Sequence, residues 1–141
     1  GAPAPGAAVG GVAAGEGVLQ FKRAIQELKS KSQSKITSLT SLADSLYASA
    51  PEVSRILLDE ISNASLTRLQ PLLMVVDSVL KKVGKDYRSH LAERMPETIS
   101  AVRARSQAEM HAWLEKMVSL SWRRHDLLPA PILDKLDQVA A

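Results

Sequence analysis

The side chains best placed to do chemistry in this sequence lie in the run PLLMVVDSVLKKVGKDY, Pro71–Tyr87. Read at helical period, Leu72, Leu73, Val76, Val79, Leu80 and Val83 share one face, and Asp77 falls ~100° from the centre of that face. A carboxylate so placed belongs neither to a core nor to free surface. Lys81 follows it by one turn, and an acid-first pair at that spacing is worth only ~0.3–0.5 kcal/mol, so an ion pair on the surface is the plain account of Asp77. The cations around it add a second account. Lys81, Lys82, Lys85 and Arg88 follow one another with Asp86 as the only acidic interruption, while Lys29, Lys31 and Lys35 flank the first interhelical loop. Most such clusters are solvated faces. Two of them at opposite ends of a groove, with a carboxylate between, would suit an extended phosphorylated ligand.

Catalytic patterns are absent from the sequence. His90, His111 and His125 do not have the spacing of H-E-x-x-H or another common zinc pattern, and no G-x-S-x-G or glycine-rich phosphate loop occurs. Glu52, Asp59 and Glu60 share a helix without a nucleophile or electrophile beside them. Trp113 and Trp122 stand on different parts of a helix perimeter, and Trp122 reads as a core plug rather than a stacking platform. We expect neither catalysis nor a metal or cofactor.

These residues must be positioned by helices. The chain has 141 residues, enough for one domain with a core, and 45% hydrophobic content with only 4% aromatic favours packed helices over a β sandwich. Cysteine is absent, which excludes disulfides and thiolate metal sites. No apolar run approaches the length of a membrane span. Residues 1–17 are rich in Gly, Ala and Pro, lack the basic start and leucine-rich centre of a signal peptide, and read as a disordered leader ahead of a helical domain at 18–141. That leader holds only Glu16 of the 15 acidic residues, so the rest carries 18 basic against 14 acidic side chains, too even a balance for a nucleic-acid binder of the whole-surface kind.

Helical periodicity and punctuation divide the remainder into eight segments, near 18–30, 34–48, 50–63, 69–83, 86–94, 96–105, 107–123 and 130–140. Ser49 with Glu52 and Ser106 with Glu109 have capping-box spacing, Gly84 suits a left-handed helix end with Asp86 capping the next helix, Pro96 restarts a helix, and Pro129 and Pro131 mark the final turn. Short connections favour antiparallel hairpins stacked into an all-α superhelix, and the lack of a long exposed heptad seam favours a monomer.

The frame Leu72, Met74, Asp77, Ser78, Val79, Leu80, Lys81, Lys82, Val83 and Gly84 resembles the motif L-x-Y-x-x-D-S-I-V-K-N-V-G of the RNA polymerase II C-terminal-domain-interacting domain, the CID. KITSLTSLADSLYASAPEV, Lys35–Val53, is similar to the second helix and following turn of that family's cleavage-factor branch, and Val118, Trp122, Leu127, Leu128, Ile132, Leu133 and Leu136 resemble its closing pattern. The resemblance implies a right-handed superhelix of about eight helices, in the class shared by CID, VHS and ENTH-like solenoids. It implies binding of the phosphorylated tail of the largest RNA polymerase II subunit, repeats of Tyr-Ser-Pro-Thr-Ser-Pro-Ser, as a short turn in a groove formed by the second, fourth and seventh helices, and a nuclear role in mRNA 3′-end processing or termination. Carried over residue by residue, Asp77 would accept the tail tyrosine hydroxyl, and Ser32, Gln33, Ser34 and Lys35 would lie along the peptide. Met74, Ser78, Lys81, Lys82, Met117 and Ser121 would complete the site, with Lys31, Lys35, Lys81, Lys82 and Lys116 as phosphate contacts.

The departures are as specific as the matches. Met74 stands where the family has tyrosine, Lys82 where the cleavage-factor branch has asparagine, and Met117 where some members hold a phosphoserine with arginine; Lys116, next to it, points ~100° away. The basic patches leave room for a weak RNA contact. The rival within the same architecture is a VHS or ENTH-like adaptor that binds cargo peptides or lipid head groups. A lipid binder would carry an amphipathic lead helix with bulky apolar residues, and only LQFKRAIQEL approaches one, so we expect no membrane partner.

Overall fold

The computed structural model describes residues 10–140, and among these the chain is helical without a strand. Seven helices follow one another: α1 Gly10–Gln26, α2 Gln33–Ser45, α3 Ala50–Asn63, α4 Leu66–Lys82, α5 Asp86–Arg105, α6 Ala108–Glu115 and α7 Ala130–Ala140. A short 3₁₀ turn, Tyr47–Ser49, leads into α3, and a π-helical segment, Lys116–Trp122, continues α6.

The helices form two layers. One holds α1, α3, α5 and α7 in succession, the other α2, α4 and α6, and consecutive helices cross from layer to layer as the expected antiparallel hairpins. Within the second layer the helices run the same way. Arg68, near the start of α4, reaches Ile25 and Leu28 just ahead of α2, and Tyr87, just past the end of α4, reaches Ala43 near the end of α2. The core between the layers is aliphatic, with Phe21, Tyr87 and Trp122 as its bulkiest fully buried side chains. Burial of this apolar surface is the main stabilising term.

Helix ends are closed by side chains arriving from elsewhere in the chain. Arg68 donates to the carbonyls of Ile25 and Leu28 at the end of α1 (2.8 and 2.9 Å), Tyr87 Oη to Ala43 in α2 (2.6 Å), and Arg105 to Ile61 and Ala64 at the end of α3 (both 2.6 Å). Arg88 Nε does the same for Leu80 in α4 at 3.3 Å. Each supplies a donor to a carbonyl in or just past the last turns of a helix, where the regular i to i+4 bonding runs out. Burial first, then the nearby Asp44 and Tyr47, push the Tyr87 hydroxyl well above its ordinary pKa, which keeps its proton available for Ala43.

Several expectations are corrected. The segments 86–94 and 96–105 are one helix that runs through Pro96. Proline there removes a hydrogen bond and costs ~3 kcal/mol in an isolated helix, but Tyr87, Leu91, Ala92, Met95, Ile99 and Val102 on the same helix are buried and hold it together. Neither capping box forms: Ser49 caps α3 and Gln107 caps α6 without a side-chain bond, and Ser106 Oγ turns back to Arg103 O instead. Asp86 is the first residue of α5 and makes no cap bond. Residues 1–9 of the expected leader lie outside the described residues, and α1 begins at Gly10 rather than at 18. Gly17 belongs to the packed structure, since a Cβ there would come within 2.5 Å of Leu46 Cδ2.

Gly84 closes α4 as expected, in the left-handed region at φ 65°, with its amide bonded back to Val79 O at 2.9 Å. The next residue is unexpected: Lys85 has φ 51° and ψ −126°, a region that side chains other than glycine occupy at a cost of ~1–3 kcal/mol. Its ammonium lies 5.7 Å from the centre of the Tyr47 ring. We expect Lys85→Gly to be more stable than Lys85→Ala by ~1 kcal/mol, the reverse of the usual order, because both lose the cation and only glycine relieves the backbone. Urea midpoints of the two variants measure this, and an Ala variant as stable as the Gly variant would contradict it.

Candidate functional site

α4 packs against α2 on one side and, across a cleft and the Trp122–Asp77 bond, faces α6 and its π-helical continuation on the other, so its exposed ridge lies between them. That ridge carries Gln70, Met74, Asp77 and Lys81, three or four residues apart, which is the spacing that aligns side chains along a helix. Asp77 is held from two sides. Trp122 Nε1 donates to Asp77 Oδ1 at 2.9 Å, and Lys81 Nζ lies 3.1 Å from the same oxygen. Among the described residues Oδ2 has no hydrogen-bond partner, and the Asp77 side chain is 27% exposed. The carboxylate is therefore oriented through one oxygen, and the other is left without a bond to the described residues.

The π-helical segment accounts for the tryptophan's reach. A π turn bonds i to i+5 and widens the helix. Met117 and Trp122, five residues apart, are both buried, while Leu120 between them is 58% exposed. Trp122 is thus a core plug, as its sequence setting indicated, whose one polar atom is spent on Asp77.

The other expected site residues separate into three groups. Lys31, Gln33, Ser34 and Lys35 are exposed around the start of α2, and Ser32 is its N-cap, accepting from Lys35 N at 3.4 Å. Lys81, Lys82 and Lys116 are exposed, Met74 is half-buried, and Ser121 is half-buried one residue before Trp122. Because α2 and α4 run in the same direction, the lysines at the start of α2 and those at the end of α4 do stand at opposite ends of this face. Ser78 and Met117 differ from expectation. Ser78 is buried and its hydroxyl meets Thr40 Oγ1 at 2.7 Å; as Thr40 donates to Ile36 O, Ser78 donates to Thr40. It ties α4 to α2 rather than facing a ligand. Met117 is 6% exposed and packs into the core.

The carboxylates considered for catalysis are occupied by arginines: Glu60 by Arg68 at 2.7 Å, and Asp59 by Arg55 and Arg94. Among the described residues no group of acidic or histidine side chains could hold a metal ion. Sequence reading missed the Trp122–Asp77 bond, which spans 45 residues. It also missed a cleft of 820 Å³ between the starts of α4 and α6, lined by Leu66, Leu69, Gln70, Met110 and Trp113 among others. The spacing of Trp113 on the same helix as Trp122 was the available signal.

Helices in two layers, with a carboxylate and lysines on one ridge of α4, place this chain in the class of helical superhelices. The chain belongs to the CID domain family, whose pattern it matches over residues 19–136. No curated protein sequence matches it. Among solved structures it is similar to the RPR of Pcf11, with a TM-score of 0.81 at 22% identity over 86% of this chain and 95% of that one. At that identity the likeness is one of fold.

Proposed function

We propose that the chain binds the phosphorylated C-terminal tail of the largest RNA polymerase II subunit, in the nucleus, as a monomeric module that couples transcription to mRNA 3′-end processing or termination. The observation that carries this reading is the geometry of Asp77. Its Oδ1 is engaged by Trp122 and Lys81, and its Oδ2, on a partly exposed side chain, is left to accept a hydroxyl proton in a charge-assisted bond about twice as strong as a neutral one. Membership of the CID family supports the tail as the source of that hydroxyl, a tyrosine. The separated lysines, Lys31 and Lys35 at one end and Lys81 and Lys82 at the other, support phosphate groups on the same peptide, with any contact to RNA through these patches weak.

Reversal of Lys81 and Lys82 to glutamate tests the charged edge. Exposed charges are screened over ~8–10 Å at physiological ionic strength, so wild-type affinity for a labelled phosphorylated tail peptide should fall as salt rises. The double variant should bind weakly at every salt concentration and melt close to wild type, since the exposed Lys81–Asp77 pair adds only a few tenths of a kcal/mol, ~0.5 at most. Equal binding by the two proteins would remove this edge from the site. Binding to anionic liposomes but not to peptide would favour the adaptor class instead.

A further inference from the structure

Hydroxyls run along the outward side of α2: Ser34, Thr37, Ser38, Ser41 and Ser45 are exposed and border a cleft of 640 Å³ against α1. The first of them stands among cations. Ser34 lies in the first turn of α2, with Lys35 beside it and Lys31 and Lys29 three and five residues ahead, in the non-helical stretch between α1 and α2. All four side chains are exposed. The neighbouring serines differ from it. Ser32 is half-buried and serves as the N-cap of α2, its oxygen accepting from Lys35 N at 3.4 Å, whereas Ser30 has the acidic Glu27 three residues ahead. Ser34 Oγ meets Ser32 Oγ at 3.2 Å and is otherwise turned to solvent.

We infer that Ser34 is a phosphorylation site, and that a phosphate on it closes this end of the binding face to a phosphorylated peptide; the inference rests on the peptide reading given above. Kinases select substrates by charge pattern, and one with an acidic substrate cleft fits a serine that has lysines three and five residues ahead of it. Access favours the same residue. Helix ends fray more readily than interiors, so a first turn continuous with a non-helical linker can be drawn into a kinase cleft, while Ser38 and Ser41 lie deeper in the helix. In the transfer Ser34 Oγ attacks the terminal phosphorus of ATP, the bond from that phosphorus to its bridging oxygen breaks, ADP leaves, and the hydroxyl proton passes to the kinase. The product holds about two negative charges beside Lys31 and Lys35. It occupies the cations that a peptide phosphate would use, and it repels that phosphate. The fold tolerates it, because an anion in the first turn complements the positive end of a helix.

The test treats the whole chain with ATP and a protein kinase selective for lysine or arginine three residues ahead of serine. Mass spectrometry places the phosphate, and fluorescence anisotropy follows a phosphorylated and an unphosphorylated tail peptide. Phosphate should appear on Ser34, and affinity for the phosphorylated peptide should fall about tenfold while that for the unphosphorylated one stays within about twofold. Melting should not drop. Ser34→Ala, given the same treatment, should show no change in either affinity. Phosphoserine built in at position 41 instead, ~10 Å along the helix and a screening length away, should change binding of the phosphorylated peptide by no more than about twofold. The inference is overturned if the folded chain takes no phosphate at Ser34, if that phosphate leaves affinity for the phosphorylated peptide unchanged, or if both peptides weaken equally. Untreated wild type that binds neither peptide overturns the peptide reading itself, an outcome seen before any kinase is added.

Discussion

Asp77→Asn is expected to weaken binding of the phosphorylated tail peptide by ~1.5–3 kcal/mol, with the lower end more apt because asparagine keeps the shape and still accepts a hydrogen bond. Stability should change little. The asparagine oxygen can go on accepting from Trp122 Nε1, and only the attraction of the partly exposed Lys81, a few tenths of a kcal/mol or ~0.5 at most, is lost. Trp122→Phe makes the companion variant, because it retains most of the buried ring while deleting the N–H that fixes Asp77. It should weaken the peptide in the wild-type background and add almost nothing to Asp77→Asn, the signature of two residues acting as one unit. Titration of a labelled peptide against the four proteins, with thermal melts alongside, measures this. Unchanged affinity in a folded Asp77→Asn protein would remove the carboxylate from the site.

The largest effect on stability is expected at Arg68. Its guanidinium serves three acceptors at once: Leu28 O at 2.9 Å, Ile25 O at 2.8 Å and Glu60 Oε2 at 2.7 Å, with the Arg68 and Glu60 side chains only 16% and 19% exposed. Arg68→Met leaves a largely buried carboxylate and the carbonyls at the end of α1 without their donor, and should cost ~3 kcal/mol or more. Lysine should not restore it, because a single ammonium cannot reproduce the planar fork that spans these acceptors. Adding Glu60→Gln to Arg68→Met should recover part of the loss by removing the stranded charge. Urea unfolding of the four proteins gives these differences, and a loss below about 1 kcal/mol would mean that water replaces the arginine easily at this surface.

Most of the architecture could be read from periodicity because each helix buries one stripe against its neighbours, and that stripe is written locally. The face of Leu72, Leu73, Val76, Val79 and Leu80 is buried as its spacing required. Gly84 marks the end of α4 because only a residue without a side chain enters that conformation freely. Features that depend on distant partners were not legible. Ser49 and Ser106 have the local spacing of caps, yet Ser49 makes no side-chain cap bond and Ser106 turns its hydroxyl back to Arg103. Pro96 interrupts a pattern that tertiary packing then overrides, giving seven helices in place of eight. Motif spacing did place Asp77 on the flank of α4, but the choice of Trp122 as its donor depends on a π turn that no local pattern announced. Ser78 was misread for a related reason: it sits beside Asp77 in sequence, and one residue of helix turns it to Thr40.

Stacked helical hairpins, each touching mainly its neighbours, have a natural tendency to fray from an end. Here the side chains that close the helix ends reach across the stack: Arg68 links α4 to the end of α1 over about 40 residues, and Arg105 links α5 to the end of α3 over a similar span. The N-terminal hairpin cannot peel away without first exposing the carbonyls at the end of α1. α1 through α5 are thereby biased toward opening together, so a peptide that grips only the α4 ridge raises the free energy of unfolding for all five, Phe21 and Ile99 included, rather than for the groove alone.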